Sequence, residues 1–203
     1  NATSEWNTDI LAPMYPWKDQ MLALVKGNPD KPLILCEYSH AMGNSCGGIK
    51  EYWDFFREHP QMQGGYIWDW VDQGVYKVTL QGDTVFAYGG DFGPPGTPSD
   101  NNFLCNGLVQ PDRKPNPHLL EVKKVYQYIR TEGLDIPAGR IRVHNEYGFL
   151  NLNEFYLEWQ LMTDGQIEAK GKVELPAVEA GKNIDLTISY PQIPQDGKER
   201  LLN

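Results

Sequence analysis

Cysteine is scarce: Cys36, Cys46 and Cys105 are the only three in 203 residues. An odd number without a Cys-x-x-Cys pair argues against a disulfide framework or a zinc site, and predicts free thiols. Long apolar runs are missing as well. No stretch approaches the roughly 18 apolar residues of a membrane-spanning helix, so no membrane partner is expected. The opening Asn1–Asp9 lacks the charged-then-apolar pattern of a secretory leader. Positive charge is in short supply, with 18 Lys and Arg against 27 Asp and Glu and a formal net charge of -9. Nucleic acid and anionic membranes are bound through clustered Lys and Arg, so neither is an expected partner, and a neutral or cationic ligand suits the chain better.

What is present is a globular composition, 40% hydrophobic and 22% charged, of a length that holds one large domain or two small ones. Aromatic residues reach 12%, with six Trp. Flat apolar faces ringed by hydrogen-bonding groups suit sugars, although aromatic rings equally fill ordinary cores.

The first two thirds alternate between extended and helical patterns. Asp9–Tyr15 reads as extended, Trp17–Lys26 as helical, Pro32–Tyr38 as extended, Gly48–Glu58 as helical and Gly65–Trp70 as extended. That alternation predicts a parallel α/β sheet. Leu33-Ile34-Leu35-Cys36 is continuously apolar, as expected of a strand covered on both faces. Gly74–Pro117 is rich in Gly and Pro and reads as a long irregular excursion, followed by a helix over Pro117–Tyr128 with Leu119, Val122, Val125 and Tyr126 on one face. From Ile129 the pattern becomes all-β: Arg140–His144, Glu154–Thr163, Gln166–Val173 and Asn183–Ser189 alternate apolar and polar residues, four or five strands in all where an antiparallel sandwich commonly has about seven. The expected domains are therefore 1–128 and 129–203, the second truncated.

Glu37 is the sharpest candidate for chemistry. Acidic residues are ordinarily solvated surface, but this one ends a buried strand between Cys36 and Tyr38, and parallel α/β folds place their chemistry at the carboxyl ends of strands. His40 follows in a Ser39-His40-Ala41-Met42-Gly43-Asn44 turn, which brings an imidazole near the carboxylate or simply bonds the loop. Gly64-Gly65-Tyr66-Ile67-Trp68-Asp69-Trp70-Val71-Asp72-Gln73 sets indoles and carboxylates at another strand end. Trp70 reads equally as core packing. Trp68 can offer a face to a sugar, while Asp69 or Asp72 accepts hydrogen bonds from hydroxyls or from Arg or Lys.

The stretch Ile34-Leu35-Cys36-Glu37-Tyr38-Ser39-His40-Ala41-Met42-Gly43-Asn44-Ser45, with Gln63–Gln73 and then Tyr88-Gly89-Gly90-Asp91-Phe92-Gly93, resembles the nucleophile region of glycoside hydrolase family two, large bacterial β-galactosidase type. Order and spacing match over about a hundred residues. Thr8-Asp9-Ile10 with Pro13-Met14-Tyr15 is similar to the preceding barrel strand, and Asn106-Gly107-Leu108-Val109, Asp112-Arg113, Pro115, Pro117 and His118 are similar to the segment leading out of the barrel. The resemblance implies the C-terminal part of a TIM (β/α)8 barrel followed by part of an immunoglobulin-like sandwich. It implies Glu37 as catalytic nucleophile, Tyr15 as a hydroxyl beside it, and His40, Trp68 and Asn106 as substrate contacts. Phe103 through its carbonyl and Asn106 through its side chain match positions that hold sodium. The general acid, a Glu after an Asn, and the magnesium ligands near it belong upstream of this chain. Asn145-Glu146 has the right dipeptide but lies in the all-β region, where Glu146 reads as sandwich surface.

A retaining glycosidase needs two carboxyl groups about 5 to 5.5 Å apart, one attacking the anomeric carbon and one protonating the leaving oxygen. This chain holds the first, and three strands cannot close an eight-stranded barrel. The expectation is a retaining β-galactosidase acting on terminal β-galactose, homo-oligomeric when full-length, in the cytoplasm or periplasm of a bacterium, with the 203-residue chain inactive alone. The alternatives are another specificity of the same family, β-glucuronide or β-mannoside, and a non-catalytic carbohydrate-binding or scaffold module.

Overall fold

The computed structural model describes residues 6–194 and 196–203; residues 1–5, part of the stretch examined for a leader, lie outside the described residues. The chain divides into two compact units after Tyr126.

In the first unit three extended runs lie side by side. Strand β1 (Leu33–Tyr38) pairs in parallel with β2 (Met62–Ile67), in the register Leu33 with Met62 and Tyr38 with Ile67. On its other edge β1 meets residues 11–14 through parallel bridges, Leu11 with Leu33 and Met14 with Glu37. Helices α1 (Lys18–Gly27) and α2 (Ile49–Glu58) make the crossovers that parallel strands require. Helix α1 starts after Pro16, with the Gln20 side chain accepting the Trp17 N–H at 2.7 Å. Helix α2 has a strong apolar face that buries Ile49, Phe55 and Phe56. These pack with Leu33, Leu35 and Tyr38 of β1, Met21 of α1, and Val122 and Val125 of α3 (His118–Val125). Gly65 lets β2 approach β1, because a Cβ there would come within 2.7 Å of the Leu35 Cβ.

Three details differ from the sequence pattern. Strand β2 starts three residues earlier than read and ends at Ile67, so Trp68, Asp69 and Trp70 lie beyond it; the pairing of Met62, 3% exposed, with Leu33 sets that register. Strand β1 buries only the Leu33–Leu35 face fully, while Ile34 and Cys36 line an open cavity of about 420 Å³ with Ile10, Ala12 and Tyr66. The excursion after Gly74 contains an antiparallel hairpin, β3 (Val75–Val78) with β4 (Thr84–Ala87), closed by Thr79 N–H to Asp83 O at 2.8 Å.

The second unit holds two three-stranded antiparallel sheets. One has the order β5 (Ile129–Asp135), β6 (Arg140–Asn145), β9 (Asn183–Thr187); the other has β10 (Arg200–Leu202), β7 (Tyr156–Thr163), β8 (Gln166–Glu174). Ile141 and Val143 of one sheet and Trp159 and Leu161 of the other are buried in a shared core with Leu152, Leu175, Val178 and Ile188. Among the described residues six strands form where four or five were expected. Strand β5 exposes most of its side chains and β10 is three residues long, so neither carries an alternating signal.

Candidate functional site

The parallel pairing brings Tyr15 and Glu37 together. The Tyr15 amide donates to the Glu37 carbonyl at 3.0 Å, which brings its phenol within reach of the Glu37 carboxylate. Burial, then the hydrogen bond to Glu37 and its negative charge, push the Tyr15 phenol above its ordinary value, so it remains a protonated donor throughout the neutral range. Tyr38, the next residue, is fully buried, and its hydroxyl meets Trp53 Nε1 at 3.0 Å and the Tyr126 hydroxyl at 2.6 Å. The strand end that carries Glu37 is thereby tied to both helices behind it.

Ser39, at φ 48°, turns the chain out of the strand and into His40. The His40 ring stacks on Phe103 with centroids 5.3 Å apart and planes at 27°. Asn106 Nδ2 donates to the Phe103 carbonyl at 3.0 Å and lies 3.4 Å from His40 Nε2. Asn106 is 2% exposed, yet its Oδ1 has no hydrogen-bond partner. Trp68 joins through its backbone: its N–H donates to Tyr38 O at 3.2 Å, its carbonyl accepts the Ala41 N–H at 2.6 Å, and its side chain is 39% exposed. The structure thus forms two linked groups from the expected site residues, Tyr15 with Glu37 and His40 with Phe103 and Asn106, with Trp68 fastened to the backbone between positions 38 and 41.

The carboxylates beyond β2 have partners other than those anticipated. Asp69 accepts the Trp70 N–H and Gln73 Nε2, the latter at 3.0 Å. Asp72 accepts the Gly107 N–H at 2.7 Å and Asn116 Nδ2 at 3.2 Å. These are neutral groups of the same chain, where the sequence pattern offered sugar hydroxyls, Arg or Lys. Asn145 and Glu146 belong to the second unit: the buried Asn145 amide bonds the carbonyls of Leu150 and Val178, and Glu146 pairs with Arg130 at 3.0 Å. His118 had been matched only as part of an exit segment and Asn116 had not been singled out; no local pattern marks either as a support of the site.

Chemically, the first unit presents a carboxylate at a strand end with a phenol within reach of it. Beside them lie an imidazole, a buried amide and exposed aromatic faces, a set suited to a neutral polyhydroxylated ligand.

Comparison with known proteins agrees with this architecture. The sequence profile of glycosyl hydrolases family 2, TIM barrel domain, matches residues 1–131, and that of β-galactosidase, domain 4, matches residues 141–203. The chain belongs to glycosyl hydrolase family 2. A β-galactosidase of Priestia megaterium is 42% identical over 193 residues, covering 94% of this chain and 18% of the relative. One of Aeromonas hydrophila subsp. hydrophila is 45% identical over 186 residues, covering 86% and 18%. β-Galactosidase 2 of Enterobacter cloacae is 41% identical over 208 residues, covering 97% and 20%. The chain spans roughly a fifth of the length of the curated relatives it matches.

Proposed function

We propose that this chain is the nucleophile-bearing segment of a retaining β-galactosidase, comprising the last strands of its catalytic barrel and part of an immunoglobulin-like domain. The observation that carries the reading is Glu37, a carboxylate at the carboxyl end of a parallel strand with the Tyr15 phenol beside it. Glu37 attacks the anomeric carbon of a terminal β-galactoside, the aglycone leaves, and water then cleaves the ester. The Tyr15 hydroxyl orients the attacking carboxylate and takes part of its charge in the ground state. His40, Asn106 and Trp68 contact the sugar, His40 held by stacking on Phe103. The general acid comes from a strand outside these 203 residues, so the chain alone has no turnover. The full-length protein is a homo-oligomer on this reading.

The residues present fit a monovalent cation such as sodium. The buried, unpartnered Asn106 Oδ1 and the nearby Phe103 carbonyl are oxygen donors that would hold it, with further ligands from outside the chain. When bound, such an ion supplies positive charge that orients sugar hydroxyls. The magnesium ligands that the resemblance implies are expected upstream of this chain.

Incubation with a 2-deoxy-2-fluoro-galactoside bearing a good leaving group, followed by peptide mass spectrometry, tests the reading on the full-length protein and the 203-residue chain in parallel. Labelling at Glu37 in the full-length protein alone is expected. Labelling elsewhere or nowhere in the full-length protein defeats the assignment and favours a binding module, and preferential labelling by the glucuronide or mannoside analogue would change the sugar.

A further inference from the structure

We propose that Asp72, Asn116 and His118 are positioning residues: they clamp the backbone on both sides of Gly107, the N–H from one side and the carbonyl from the other, and thereby hold the Asn106 amide against His40. The proposal rests on the reading that Asn106 contacts the sugar.

The Gly107 peptide groups are held from both sides. Asp72 Oδ1 accepts the Gly107 N–H at 2.7 Å, while the Gly107 carbonyl receives Asn116 Nδ2 at 2.9 Å and His118 Nε2 at 2.9 Å. Asn116 Nδ2 also reaches Asp72 Oδ2 at 3.2 Å, which joins the two sides into one network. The preceding carbonyl, of Asn106, accepts the Asp69 N–H at 2.8 Å. Gly107 itself is buried, and a Cβ there would overlap the Asp72 amide nitrogen and the Val71 carbonyl carbon. Loops ordinarily satisfy their backbone with water. This one is enclosed and takes its partners from side chains 35 residues before it and 9 and 11 residues after it.

What the clamp protects is a contact with no slack. Asn106 Nδ2 stands 3.4 Å from His40 Nε2, the far limit of a hydrogen bond, so a displacement of about half an ångström breaks it. Within this chain the Asn106 amide is otherwise held by one side-chain bond, Nδ2 to the Phe103 carbonyl at 3.0 Å. Support beneath a ligand-contacting group, supplied by residues that touch no ligand, is how sites keep sub-ångström geometry.

The test is a double-mutant cycle in the full-length protein, with kcat and KM for an aryl β-galactoside and the thermal midpoint measured for Asp72→Asn, Asn116→Ala, Asn106→Ala and the combination Asn116→Ala with Asn106→Ala. Asp72→Asn and Asn116→Ala are each expected to raise KM about tenfold with a smaller change in kcat. Adding Asn116→Ala to Asn106→Ala is expected to raise KM less than about twofold further, because the group being positioned is gone. If Asn116→Ala costs as much in the Asn106→Ala background as in the parent, it acts by general destabilisation and the clamp is overturned. Should Asp72→Asn fail to fold, Asn116→Ser carries the same cycle with a smaller perturbation. If Asn106→Ala leaves KM at the parental value, the sugar-contact reading itself has failed and the clamp falls with it.

Discussion

Three carboxylates of the β-sandwich meet guanidinium groups, Asp185 with Arg142 at 2.6 Å, Asp196 with Arg200 at 2.6 Å and Glu146 with Arg130 at 3.0 Å, whereas the partners shown for Glu37, Asp69 and Asp72, at the strand ends of the α/β unit, are neutral: a phenol, side-chain amides and backbone N–H groups; away from those strand ends Asp54 and Asp112 meet Lys or Arg as well. The difference is one of charge compensation: the first set has a cation against it, and the second has only dipoles. A guanidinium neutralises a carboxylate and occupies two of its lone pairs. A phenol orients it while leaving most of its negative charge available for attack. The same contrast holds for the two glutamates singled out in the sequence: Glu37 has a phenol beside it, and Glu146 pairs with Arg130.

The largest effect that can sharpen this contrast is on the two glutamates themselves. In the full-length protein Glu37→Gln is expected to lower kcat by about 10⁴-fold or more, the scale on which covalent enzymes lose their nucleophile, whereas Glu146→Gln should leave kcat/KM within about twofold. Steady-state hydrolysis of a chromogenic galactoside decides it, and equal losses would erase the distinction drawn above. Next is the sandwich core: Trp159→Ala, at a residue 8% exposed, should cost about 3 kcal/mol or more in stability while Glu37 still takes the fluorosugar label below the lowered melting point. Calorimetry and mass spectrometry on the same samples check the two halves of that statement.

Tyr15→Phe comes third, with kcat down about 10- to 100-fold as the donor on Glu37 is lost. The same steady-state assay as for Glu37→Gln applies, and an unchanged kcat would reduce the phenol to a packing role. The smallest effect concerns acid. The hydrogen bond and charge of Arg142 hold the Asp185 carboxyl below its usual range. A depressed folded-state value stabilises above the unfolded value of about 3.9, and that contribution disappears as pH falls through the folded one. Arg142→Ala should therefore lower the melting point by a few degrees at most at pH 7 and flatten its further fall between about pH 5 and 3, the pair being exposed. Melting curves across that interval provide the check.

Much of this was legible beforehand where periodicity was strong. The helical pattern of Gly48–Glu58 and the alternation of Gln166–Val173 correspond to α2 and β8 within one residue at each end, since burying one face imposes a period. The hairpin was not legible because Val75, Tyr76 and Val78 stay exposed, so no buried face left its mark. Nor was the register of β2, which depends on the partner strand rather than on its own residues.

By itself the sequence determined that a carboxylate ends an apolar strand, that an imidazole and two indoles follow in a fixed order, and that an all-β segment comes after them, because these are properties of neighbouring residues. Tertiary structure alone decided that Tyr15 lies beside Glu37, that the buried Asn106 amide meets His40, and that Asp72 bonds the Gly107 N–H. Those contacts join residues from 22 to 66 positions apart, and such pairings follow from which backbone groups are shut away from water and need partners, a constraint that exists only once the chain has folded.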